Sequence, residues 1–166
     1  AGRSLQQFTL ENRGSLVWSA TGAISSGSGA VIRNTVGSTF VLSAAGSYLY
    51  NLGGTVSIFD NQGALTVAPG PGNTFTVATI FNHSNGSVAV SSGILLLQNG
   101  GTQTAPVNVA AAGELDFNGG THAINNGATY VGGTGPVRLL AGAMDPEPPP
   151  RERPRPRTHA PSRAPK

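Results

Sequence analysis

Glu114 and Asp116 are the closest pair of carboxylates in residues 1–143. Two acids at that separation could divide general acid and general base work on a glycosidic bond, or offer oxygens to a calcium ion. Alternation along a strand would put both on the outer side, with Leu115 and Phe117 pointing inward. However, Asp116 has a basic counterpart further along in Arg138, and no other acid lies one such interval away. The pattern therefore predicts a solvated, charge-paired face that could meet a ligand at its surface, with no catalytic or metal-binding role.

Other residues that could do chemistry are equally isolated. His83 follows Phe81-Asn82 at a turn, and His122 takes an inward-type position much later in the chain. Their separation is no multiple of the interval between Asp116 and Arg138, so a shared metal site is not expected. Serines are plentiful, yet no Gly-x-Ser-x-Gly elbow, calcium-binding glycine nonapeptide or phosphate-cradling loop occurs. Tyr48 and Tyr50 share one side of a strand and are candidate exposed rings for carbohydrate or protein contact. No cofactor is expected, and the chain reads as a non-enzyme.

The elements that must carry these residues are strands. No window sustains the i, i+3, i+4 apolar spacing of a helix, and β-branched residues and glycines interrupt every attempt. Short alternating runs recur instead, such as Thr55-Val56-Ser57-Ile58, Ala64-Leu65-Thr66-Val67 and Ser87-Val88-Ala89-Val90. Gly14, Gly63, Gly86 and Gly113 each stand two residues before an inward apolar side chain, as sharp corners favour.

Short strands with frequent turns suit an antiparallel sandwich or a parallel solenoid. The two differ in whether similarity returns after two strands or after three. Here Ile58-Phe59-Asp60-Asn61 returns as Ile80-Phe81-Asn82-His83, three strands on. The expected fold is thus all-β: a single-stranded parallel β-helix with three short strands per coil of about 22 residues, in roughly six coils.

That period places side chains. Glu11 should stack on Arg33, Asn12 on Asn34 and Asp116 on Arg138. Opposite charges on neighbouring strands contribute roughly 0.2–1 kcal/mol, and amide ladders recur in stacked sheets.

Composition agrees with a scaffold. Gly is 24 of 166 residues, charged residues are 10%, and cysteine is absent, so disulfides and thiolate metal sites are excluded. No apolar run is long enough for a transmembrane helix. Residues 1–143, the expected solenoid domain, hold four Arg against four acids. The net charge of +3 therefore belongs to residues 144–166, a Pro/Arg-rich tail expected to be extended or disordered. Its Gly142-Ala143-Met144-Asp145-Pro146 junction looks like an expression-vector linker. Pro146, Pro149 and Arg151 match a polyproline-ligand spacing. The tail arginines could attract polyanions, without specificity for a nucleic acid.

The stretch from Val107 to Tyr130, with its Ala-Gly-Glu-Leu-Asp-Phe-Asn-Gly-Gly-Thr-His-Ala-Ile core, resembles the repeats of large bacterial surface proteins. These are autotransporter passengers and filamentous-haemagglutinin-like adhesins. The resemblance is best over 54–139 and weaker over 5–53. It implies a β-helix exported to the cell surface, extracellular in location, acting as a stalk, filament or adhesive spacer. A host or neighbouring-cell glycan or protein, or end-to-end self-association, would then supply the partner. A polysaccharide-binding or polysaccharide-cleaving β-helix and a phage-tail or spike segment are the alternative readings.

Overall fold

The fold comes from a computed structural model, which describes residues 3–50, 52–124 and 131–146. The first coil is β1 (Arg3–Gln6), β2 (Thr9–Asn12) and β3 (Ser15–Trp18). The second is β4 (Gly22–Gly27), β5 (Val31–Asn34) and β6 (Thr39–Leu42), and the third β7 (Gly46–Tyr50), β8 (Ile58–Asn61) and β9 (Ala64–Val67). The fourth is β10 (Thr74–Ala78), β11 (Ile80–His83) and β12 (Ser87–Val90), and the fifth β13 (Gly93–Leu97), β14 (Gly101–Gln103) and β15 (Val107–Val109). The sixth is β16 (Gly113–Ile124), which turns the corner without breaking, and β17 (Val131–Gly133). Beyond it comes β18 (Val137–Pro146).

Each strand pairs with its counterpart one coil away, always in parallel, and the coils wind a β-solenoid of about six turns. Strands this short do not persist alone; stacking gives their N–H and C=O groups partners above and below. Because β16 and β18 run round one corner, two of the three columns merge into a 12-stranded sheet, and the third forms a 6-stranded one.

The 22-residue step holds where it was read. Leu10 pairs with Ile32, Phe59 with Phe81, and Asp116 with Arg138. Elsewhere the coil length varies: the step from Val90 to its partner Val109 is shorter, and that from Tyr48 to Val77 is longer. The longest coil takes up its surplus partly at the corner after β7, where Gly53 and Gly54 adopt φ of 79° and 78°. Only glycine enters that region without steric cost.

The interior follows the period of two. Phe40, Leu65, Val88 and Val107 stack in one column, and Val77, Leu97 and Phe117 in another, all buried. Phe59 sits at the middle of the stack, with Phe40, Tyr48 and Phe81 ring centroids at 5.6, 6.2 and 5.4 Å. Each fully buried side chain of this size contributes about 1.5–3 kcal/mol. Gly101 stands where Leu10, Ile32, Phe59 and Phe81 stand in earlier coils, and a Cβ there would run into the Phe81 carbonyl. The aromatic column therefore stops at Phe81.

β18 continues beyond Ala143 to Pro146, so residues 144–146 still pair with β16. Pro149 and Arg151, like the rest of the tail beyond Pro146, lie outside the described residues.

Candidate functional site

The lone carboxylate pair sits on β16, facing outward as alternation requires, but Asp116 is not solvated. It is 4% exposed, because Arg138 of β18 lies across it. The guanidinium binds both carboxylate oxygens, Nε at 3.0 Å from Oδ1 and Nη2 at 3.1 Å from Oδ2, and also contacts Glu114 Oε1. The expected Asp116–Arg138 pair is present, but the open, solvated face is not. Burial pushes the Asp116 carboxyl up, and the planar fork of Arg138 supplies the opposing charge.

A second charged ladder lies on the outer side of β2, β5 and β8. Arg33 Nη1 is 3.2 Å from Glu11 Oε1, as the repeat predicts, and Arg33 Nε is 2.9 Å from Asp60 Oδ2. Arg13 adds a contact to Glu11 at 2.7 Å, and Gln62 donates to Asp60 at 2.9 Å. The Arg13 hydrogen bond and charge, with Arg33 behind them, hold the Glu11 carboxyl below its usual range. Arg33 is held more firmly protonated, first by its bond to Asp60.

Directly behind that ladder, on the inner side of the same strands, runs a column of buried polar side chains: Asn12, Asn34, Asn61, His83 and Gln103. Asn12 Nδ2 donates to Asn34 Oδ1 at 2.8 Å, and Asn34 Nδ2 to Asn61 Oδ1 at 2.8 Å. Asn61 Nδ2 reaches His83 Nδ1 at 3.1 Å. Each amide also donates to a backbone carbonyl: Thr39 at 2.7 Å, Ala64 at 3.1 Å and Gly63 at 3.2 Å respectively. The column thus ties the second sheet column to the third.

Two steps of this column follow from the repeat in the sequence, Asn12 over Asn34 and Asn61 over His83. The links from Asn34 to Asn61, with Arg33 to Asp60 outside, and from His83 to Gln103 are not visible there, because the first step is longer than the repeat and the last is shorter. A signal existed: Glu11-Asn12, Arg33-Asn34 and Asp60-Asn61 each end a strand with a charged residue before asparagine.

Tyr48 is the clearest correction. It is fully buried against Phe59, with its hydroxyl 3.3 Å from the Ala30 carbonyl and 3.4 Å from that of Ile58. It lies in register with Ile24 and Val77, both turned toward the core, so it offers no surface for a ligand. Tyr50 ends β7, and its side chain lies outside the description.

Both described histidines are buried. His83 closes β11 inside the solenoid rather than at a surface turn, and His122 packs edge-on to Phe117 with ring centroids 4.6 Å apart. Burial pushes both below the ordinary imidazole value. Among the described residues no group of three or more His, Cys, Asp or Glu could hold a metal. Nor, among them, is any helix long and apolar enough to cross a membrane.

A groove of about 240 Å³ opens beside the first coil, lined by Leu10, Leu16, Trp18, Ile24 and Phe40, with Arg3 at its rim. Phe40 belongs to the main core, and Leu10, Leu16, Trp18 and Ile24 are the partly buried side chains packed against it.

Fold and faces together define a parallel β-solenoid repeat protein. Comparison with known protein families, curated proteins and solved structures finds no match to this chain. The solenoid implied by the repeat phrase is present.

Proposed function

We propose that this chain is a non-enzymatic structural or adhesive segment of an exported bacterial surface protein, working as a rigid stalk or filament. The observation that carries this reading is the unbroken parallel stack of about six coils. At about 4.8 Å per coil it makes a rod some 25–30 Å long, stiffened on every side by hydrogen-bonded ladders. Support also comes from the outward acids. Glu11, Asp60, Glu114 and Asp116 are each engaged by an arginine, which suits cross-coil fastening better than attack on a substrate. Outer side chains can vary without disturbing the core, so such a rod suits presentation of a contact surface.

The test is incubation of the full chain with acidic polysaccharides, with and without calcium, alongside a panel of glycans and matrix proteins. No polysaccharide turnover is expected. Saturable binding to one panel member would assign the adhesive role, and its absence the stalk role. Turnover that disappears in Asp116→Asn would overturn the proposal.

A further inference from the structure

The buried amide column has a direction, and that direction fixes the protonation state at its end. Backbone carbonyls only accept hydrogen bonds. The contacts of Asn12, Asn34 and Asn61 to Thr39, Ala64 and Gly63 carbonyls therefore identify which end of each amide is the nitrogen. Flipping any of the three would set oxygen against oxygen. The second N–H of Asn61 lies between His83 Nδ1 at 3.1 Å and the Ser87 carbonyl at 3.5 Å, and the shorter contact makes Nδ1 the acceptor, carrying no proton. On the other side of the ring, His83 Nε2 lies 3.3 Å from the Pro106 carbonyl, so Nε2 must carry the proton. The surroundings accept one form of the ring, neutral with hydrogen on Nε2.

A second proton, on Nδ1, would find one long contact to a backbone carbonyl and the Asn61 amide in its way. Facing the ring, β8 presents Asn61 and β14 presents Gln103, with Phe81 roughly parallel to it at 6.3 Å. Asp60 and Asn82 lie on the opposite, outer side of their strands. Among the described residues no carboxylate faces the imidazole. The nearest acceptor for a proton on Nδ1 is the Asn61 carbonyl, at 3.4 Å.

We propose that the Asn61–His83 contact is an acid-sensitive joint in the solenoid. Protonating His83 sets N–H against N–H at a fully buried site, releases the amide column from the fourth coil, and loosens β8 from β11. Burial, which keeps the ring neutral at pH 7, acts in the same sense. The folded form resists a proton that the unfolded chain takes up near pH 6.5. Stability is therefore full above that value and declines as pH falls below it.

The test is hydrogen exchange on the full chain at pH 7.5 and pH 5.0, corrected for intrinsic rates and read segment by segment. Protection of 58–61 and 80–83 should drop about tenfold more than that of 39–42 or 64–67. His83→Gln should abolish the extra drop, since its amide can accept from Asn61 and donate to Pro106 without titrating. Gln103 shows that the position one coil on admits such a side chain. His122→Gln, in a separate contact, should leave the drop in place. Equal protection at both pH values, or a drop surviving in His83→Gln, would sink the idea. If His83→Gln does not fold, nitrogen-15 NMR of the wild-type ring decides. An Nε2–H tautomer titrating below the usual value, together with β8 amide shifts, supports the joint. A ring titrating ordinarily, with those amides unmoved, overturns it.

Discussion

Residues 11 and 12, 33 and 34, and 60 and 61 are neighbours on the same three strands, yet their side chains enter opposite environments. Outside, Glu11, Arg33 and Asp60 form an ion ladder at 2.9–3.2 Å, with Arg33 37% exposed. Inside, Asn12, Asn34 and Asn61 form an amide ladder at 2.8 Å, with Asn34 and Asn61 fully buried. The distances are similar, but the energetics differ. Exposed charges exchange one good solvent for another partner and are screened by salt. Buried amides have no water to return to, so a broken bond leaves a stranded group. The formally uncharged ladder should therefore matter more to stability.

Substitution at Asn34 gives the widest separation. Asn34→Ala removes its bonds to Asn12, Asn61 and Ala64 at once, leaving Asn12 short of one acceptor and Asn61 Oδ1 without this donor. A loss of about 3 kcal/mol is expected from urea unfolding. A loss under about 0.5 kcal/mol would break the comparison.

Arg138→Ala should fall between the two ladders. It takes from Asp116 both its countercharge and the side chain that covers it, and Arg138 is itself 50% exposed. A cost of about 1–2 kcal/mol near pH 7 is expected, discounted for solvent around the guanidinium. The burial that remains then acts on Asp116 with no countercharge beside it, in the direction of a raised pKa. The sign follows: protonation is favoured in the folded form, so the variant should regain stability as pH is lowered toward the carboxylate range. A pH series of melting temperatures reads this. The smallest effect belongs to Arg33→Gln, at about 0.5 kcal/mol in low salt and near zero at about 1 M NaCl. A salt-insensitive loss would mean that Arg33 acts through packing.

What could be read along the chain was whatever depends on local alternation and on repetition. The inward positions of Leu65, Val88, Leu115 and Phe117 follow from period two, and the pairs Glu11–Arg33, Asn12–Asn34 and Asp116–Arg138 from the repeat step. The continuations to Asp60 and Asn61 were hidden, because one longer coil carries them past that step and no local signal fixes coil length. Tyr48 shows a different limit: its residue type suits a surface ring, whereas its register with Ile24 and Val77 turns it inward.

By itself, then, the sequence determined the all-β character, the three-strand repeat and, for strands such as β9, β12 and β16, the side that meets the core. These depend on side-chain period and backbone propensity, which act over a few residues. The tertiary structure decided which residues lie above one another, that Asp116 is covered by Arg138, and that His83 ends a buried amide column. Those outcomes depend on how many residues each corner absorbs, and a corner's length is fixed only when the coils on either side of it stack.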